Sequence, residues 1–139
     1  MATHEEKQRY VDDMVRRRGY VLAYHKLMAE ADFAVLQAAD RLVAAAYTDA
    51  RHLDRKTKEL LFCATLTVMR AGTAQLKSHI HAALEHGATP EEVLEAIEIA
   101  LPEAGVVAFQ VGFEAWCEVV GITGIEPAVA VFDAGNDAG

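Results

Sequence analysis

Residues 53–101 read LDRKTKELLFCATLTVMRAGTAQLKSHIHAALEHGATPEEVLEAIEIAL and predict three successive helices. Asp54 is a candidate cap for the first helix, which is apolar almost all round, a pattern typical of a buried helix. Gly72 interrupts this run, and Thr73 is a candidate cap for the second helix. Gly87 follows the second helix, where a left-handed backbone conformation is favoured.

The third of these helices has the clearest start signal. Thr89, Pro90 and Glu92 supply a capping hydroxyl, a first-turn proline and a glutamate at the third helical position. Apolar residues recur at helical spacing in the second and third helices, at Leu76, Ile80, Ala83, Leu84, Val93, Leu94, Ile97 and Leu101. Each helix therefore presents one apolar face to a shared core.

The sequence before residue 53 predicts further helices. Residues 5–18 form a charged helical pattern that Gly19 ends, and residues 20–30 are consistent with a second, shorter helix. Asp32 is a candidate cap for a third helix, which extends to about residue 47. The N-terminal helices are thus expected to span residues 5–47.

The sequence after residue 101 predicts one long helix and a polar tail. Pro102 should end or kink the preceding helix, and residues 103–120 carry an apolar stripe. Residues 128–139 are small, polar and glycine-rich, so we expect them to be frayed. Since no segment alternates with period two, the prediction is an all-α bundle of about six helices. It forms a single domain over residues 1–139, with its core at residues 53–120.

Composition limits the possible classes of function. The 139 residues are 53% hydrophobic and carry a net charge of -8. The acidic balance argues against a nucleic-acid partner, because no basic patch could neutralise many phosphates. The one basic cluster, residues 16–18, is interpreted as a solvated helix face. Abundant apolar helical surface favours a homo-oligomer.

The location is expected to be cytoplasmic. No apolar run approaches the roughly 20 residues of a membrane span. The N-terminus, MATHEEKQRY, lacks the apolar segment of a signal peptide. Cys63 and Cys117 lie in apolar helical stretches and are interpreted as buried thiols of a reducing compartment.

Glu59 and His79 are the leading candidates for chemistry. Glu59 is the only acidic group in its apolar helix, and it is either a buried proton carrier or a solvated residue in the favourable field of the helix N-terminus. His79 shares a face with apolar neighbours and is either a packing histidine or a proton donor and acceptor near neutral pH. The spacing of the residues alone leaves both alternatives open.

Several other polar residues are weaker candidates. Arg55 or Lys56 could hold a substrate carboxylate, or could belong to the solvated first turn of a helix. The candidate substrate-binding residues are Tyr24, His25, Gln75, Glu103 and Gln110. A metal site built from His79, His81, Glu85 and His86 is not expected, because one helix cannot turn all four side chains toward one point.

Three segments resemble the carboxymuconolactone decarboxylase family, of which the AhpD-like alkylhydroperoxidases are a related branch. They are LDRKTKELLF (53–62), SHIHAALEHGATPEEVLEAIEIAL (78–101) and GVVAFQVGFEAW (105–116), with a weaker likeness in GYVLAYHKLMAEADF (19–33). The resemblance implies an AhpD-like helical bundle that assembles as a trimer or hexamer with pockets near subunit contacts. It also implies functional roles for Glu59 and His79.

The sequence departs from the AhpD-like branch at its redox motif. Gly72 and Gln75 occupy the register of that branch's CxxC cysteine pair. The chain instead resembles the decarboxylase branch, although the interval from Glu59 to His79 is one residue longer than in that pattern. The alternatives are a thiol redox protein that uses Cys63 or Cys117, and a non-catalytic oligomer that binds a small molecule.

The resemblance therefore implies a lyase of aromatic-compound catabolism that needs no cofactor. Its substrate would be a small carboxylated lactone or a related metabolite. His79 would act as the acid or base, and Glu59 would orient it or share its proton.

Overall fold

The computed structural model describes residues 1–124 of the chain. Within this range there are eight α-helices, and a π-helical turn over Ala44–Thr48 follows the third of them. The α-helices are α1 (His4–Arg18), α2 (Ala23–Ala31), α3 (Phe33–Val43), α4 (Arg55–Val68), α5 (Thr73–Glu85), α6 (Pro90–Glu98), α7 (Ala100–Ala104) and α8 (Val106–Val120). The predicted all-α class is confirmed. The expected frayed tail, residues 128–139, lies outside the described range.

Side-chain capping explains where four of the eight described helices, α1, α3, α4 and α6, begin. The Asp54 side chain accepts a 2.7 Å hydrogen bond from the Thr57 amide, as predicted for the start of α4. Thr89 and Glu92 form the predicted reciprocal capping box at α6. The prediction for Thr73 is wrong, since Gly72 is the capping residue and Thr73 is already the first residue of α5.

Short interruptions near the C-terminal end explain why residues 1–124 form eight α-helices and not the predicted six or so. α6 ends at Glu98, before Pro102, and the proline lies inside the short helix α7. A proline ring clashes with the carbonyl of the residue four positions before it, which here is Glu98, so the interruption at Ile99 agrees with the predicted end or kink of this helix. Gly105 has a φ of +84° and separates α7 from α8. The last helix therefore begins at Val106 rather than at residue 103.

Two apolar clusters hold the helices together. The larger joins α4, α5, α6 and α8 through buried residues that include Cys63, Leu66, Leu76, Ile80, Val93, Ile97 and Trp116. The smaller joins α1, α2 and α3 through Val11, Met14, Ala29 and Leu36. α4 is not buried all round as expected, because Leu61 is 51% exposed, and Met69, which directly follows the helix, is 74% exposed. No helix within residues 1–124 is long and apolar enough to cross a membrane.

Gly112 of α8 packs tightly against Thr67 of α4. A β-carbon added there would lie 2.2 Å from Oγ1 of Thr67 and 2.7 Å from its Cγ2. Thr67 is fully buried, and its hydroxyl donates to the Cys63 carbonyl at 2.7 Å. We expect Gly112→Ala to destabilise the protein by about 1–3 kcal/mol through overpacking, measured by urea denaturation. Gly72→Ala is the matched control, because its added carbon meets no atom within 4 Å. Equal stability of the two variants would contradict this packing.

Candidate active site

Glu59 of α4 and His79 of α5 meet in the interior where these two helices pack. Their exposed fractions are 0% and 3%. His79 Nδ1 lies 2.7 Å from Oε2 of Glu59, so the Nδ1–H group donates to the carboxylate. Both residues are therefore buried and directly paired. The additional residue in the interval between them does not separate the two side chains.

Glu59 accepts hydrogen bonds on both oxygens. The Tyr47 hydroxyl and Arg55 Nε both donate to Oε1, the latter at 2.6 Å. Arg55 Nη2 also donates to the Tyr47 hydroxyl at 2.8 Å and to the Arg18 carbonyl at 2.9 Å. Burial lowers the pKa of Arg55, although an arginine remains charged in proteins. Three donors, one of them cationic, therefore fix the position of this carboxyl group.

The other side of the His79 ring faces aromatic residues. Phe62 stacks on it with 4.4 Å between ring centroids and 18° between planes. Nε2 lies 3.2 Å from the hydroxyl of Tyr20. Since Nδ1 carries a proton toward Glu59, Nε2 of the neutral ring accepts from Tyr20, and Nε2–H of the imidazolium donates to it. Burial and the negative charge of Glu59 raise the pKa of Tyr20 to about 12, so its phenol keeps its proton at neutral pH.

A second buried polar cluster supports the first from the N-terminal helices. Arg18 is only 5% exposed and donates to Oδ1 of Asp40. Oδ2 of Asp40 accepts from Arg17 at 2.7 Å and from Tyr10 at 2.8 Å. The interpretation of residues 16–18 as a solvated face is therefore wrong for Arg18. Its carbonyl accepts from Arg55, and this bond connects the two clusters.

The candidate substrate-binding residues form no hydrogen bond with the Glu59–His79 pair. His25 is buried, lies 3.5 Å from Arg18, and its Nδ1 accepts from the Leu22 amide. Burial, and to a lesser degree the charge of Arg18, lowers the pKa of His25. Tyr24 is exposed and stacks on His25. The remaining three candidates are also exposed, namely Gln75, Glu103 and Gln110. The roles assigned to these five residues stay predictions.

Two of the remaining candidates, Lys56 and His86, have structural partners. Lys56 pairs with Glu92 at 2.8 Å. His81 is exposed, and His86 Nδ1–H donates to the Ala82 carbonyl at the end of α5. Among residues 1–124, no group of three or more His, Cys, Asp or Glu side chains has the arrangement of a metal site.

The two cysteines have the properties of packing residues. Both are free thiols, and Cys63 is fully buried in the larger apolar cluster. Burial raises the pKa of Cys63 to about 12. Burial also raises the pKa of the partly buried Cys117. Because the thiolate is the reactive form, both environments disfavour redox chemistry at neutral pH.

The fold and the site together define an all-α protein with a buried glutamate–histidine pair between its central helices. The sequence profile of the carboxymuconolactone decarboxylase family matches residues 34–118, which is more than half of the chain and contains both residues of the pair. The chain belongs to this family. No curated protein and no solved structure matches it.

Proposed function

We propose that the protein is a carboxy-lyase that decarboxylates a small carboxylated lactone, or a related metabolite of aromatic degradation, without a cofactor. The observation that supports this proposal is the buried pair of Glu59 and His79, in which a carboxylate held by Arg55 and Tyr47 fixes the imidazole. Such a pair is suited to deliver and recover one proton near neutral pH.

The proposed reaction uses one proton for each carboxylate lost. The bond between the substrate carbon and its carboxylate breaks, CO₂ leaves, and the bonding electrons spread onto the lactone carbonyl as an enolate. The imidazolium of His79 supplies the proton that this carbon receives, and the neutral imidazole then regains a proton from solvent. The negative charge of Glu59 stabilises the imidazolium before transfer and holds the ring in position afterwards.

The direct test is CO₂ release from carboxymuconolactone and from a series of other carboxylated γ-lactones. The parent protein, treated with a chelator and supplied with no cofactor, should release one CO₂ per substrate molecule. Release that does not exceed that of His79→Gln for every substrate would contradict the proposal. It would favour the alternative of a non-catalytic protein that binds a small molecule.

We further propose that the protein assembles as a homo-oligomer, a trimer or a hexamer. Large apolar side chains remain exposed on or directly beside α4, α7 and α8, at Leu61, Met69, Ile99, Leu101, Val106 and Val107. Contiguous exposed apolar surface is typical of subunit contacts. Light scattering at micromolar concentration should give a mass three or six times that of the 15.1 kDa chain. A monomer at this concentration would contradict the assembly.

A further inference from the structure

Tyr20 connects the buried pair to an open cleft. The cleft has a volume of about 440 Å³ and lies between residues 19–22 and the exposed side of α5. Its lining includes Tyr20, Leu22, Lys77, Ser78, His81 and Glu85. Tyr20 is the only one of these residues whose side chain also bonds to His79. The phenol therefore lies between a space that a small molecule can enter and the imidazole.

The arrangement of His79 restricts how a substrate can reach it. Its Nδ1 is occupied by Glu59, Phe62 covers one face of the ring, and only 3% of the residue is exposed. Nε2 is the remaining polar atom, and the group bonded to it is Tyr20. A molecule in the cleft can thus exchange a proton with His79 through the phenol without displacing any side chain.

The cleft also carries a cationic group suited to an anionic ligand. Lys77 of α5 is one of its lining residues, and its ammonium lies 2.8 Å from Oε2 of Glu118, outside the lining, in a partly exposed ion pair. His81 and Ser78 add polar groups on the same side of α5. A small carboxylate could exchange with Glu118 for the lysine, because an exposed ion pair contributes little free energy.

A second cleft, formed by the loop before α4, is the competing location. It has a volume of about 370 Å³ and includes Tyr47, Arg51, Arg55 and Lys58 in its lining. Its contact with the pair is through Tyr47 and Arg55, which already occupy Oε1 of Glu59. Tyr20 is not part of its lining, so no residue of this second cleft is hydrogen-bonded to Nε2 of His79.

We propose that a small carboxylate substrate binds in the cleft of Tyr20 and Lys77, and that the Tyr20 phenol transfers the proton between this substrate and His79. The inference rests on the proposed decarboxylation. As the carbon–carboxylate bond breaks and CO₂ leaves, the phenolic proton moves to the substrate carbon. The Nε2 proton of the His79 imidazolium moves at the same time to the phenolic oxygen. The tyrosine ends neutral, and the imidazole regains its proton from solvent.

Kinetics of Tyr20→Phe test the phenol. The ring and its packing remain, so KM should stay within a few-fold while kcat falls roughly 10²-fold or more. Tyr10→Phe is the matched control, because this phenol bonds to Asp40 and lies outside the lining of the cleft. A Tyr20→Phe variant with kcat near the parent value would overturn the inference. If His79→Gln is inactive in the same assay, the proposed decarboxylation survives that result.

Lys77→Met tests the carboxylate site. Loss of the cation should raise KM about tenfold or more with little change in kcat. This is the expected result when the lysine binds the substrate carboxylate equally strongly in the ground state and in the transition state. Glu118→Gln removes the same ion pair but keeps the cation, so its KM should not rise. Equal KM values for the parent and Lys77→Met would exclude this residue as the carboxylate partner.

A binding experiment tests the location independently of turnover. In ¹H–¹⁵N NMR spectra, titration with 2-furoate should shift the amide signals of Tyr20, Lys77 and His81. Shifts confined to residues 51–58, or no shifts at millimolar 2-furoate, would overturn the assignment of the cleft. This result does not depend on the stability of any variant.

Discussion

Replacing His79 with glutamine should lower kcat for decarboxylation by roughly 10²–10⁴-fold. Glutamine keeps a hydrogen-bonding head of similar reach but cannot gain and lose a proton near neutral pH. The substitution also removes the imidazole ring, which stacks on Phe62 and bonds to Glu59 and Tyr20. Initial rates of CO₂ release measure the effect. His86→Gln is the matched control, because His86 only caps the end of α5.

Glu59→Gln should produce a loss of similar size for a different reason. The amide has nearly the same shape, but it lacks the negative charge that stabilises the imidazolium of His79. It also leaves the partly buried Arg55 without its counterion. Glu95→Gln, an exposed change on α6, should leave kcat unchanged. If Glu59→Gln folds and its kcat lies within a few-fold of the parent value, the carboxylate has only a structural role.

Asp40→Ala should cause the largest loss of stability, about 3–5 kcal/mol in the free energy of unfolding. Asp40 is 2% exposed and accepts hydrogen bonds from Arg18, Arg17 and Tyr10. Its removal leaves the guanidinium of Arg18 buried without an anion. Guanidinium denaturation measures the change, and Asp12→Ala is the control, because Asp12 bonds only to Gln8 on the exposed side of α1.

The same cluster predicts the behaviour of the protein in acid. Burial by itself raises the pKa of Asp40, but the hydrogen bonds from Arg17, Tyr10 and Arg18 outweigh it and place the pKa below its ordinary value of 3.8. A group with a depressed folded pKa contributes stability above its unfolded pKa and loses it as the pH falls through the folded value. The stability advantage of the parent over Asp40→Ala should therefore persist above about pH 4 and shrink below it. An advantage that does not shrink in acid would contradict the ionic origin.

The features that the sequence predicted correctly are local ones. Asp54, Thr89 and Gly87 act through backbone groups within a few residues, so their spacing is sufficient to place helix ends. Thr73 was misjudged because the adjacent Gly72 satisfies the same signal, since a glycine can also cap a helix.

The candidate site was predictable only in part. Glu59 and His79 stood out as polar residues in apolar helices, and the family resemblance named the same two. Tyr20 and Tyr47 had no signal in the spacing, because they reach the pair from separate elements that only the tertiary fold brings together. Arg18 was assigned to the surface because three successive arginines usually form a solvated face, and only packing against Asp40 reveals its burial.

The double variant Glu59→Gln/His79→Gln tests the central claim most directly. If the two residues act together in one proton-transfer step, either single substitution already abolishes that step. The second substitution then causes little further loss of rate, so the two effects are not additive. The rate of CO₂ release by the double variant should then lie within a few-fold of the poorer single variant. A double variant whose loss is the product of the two single losses would contradict the account, because it would mean that the residues act independently.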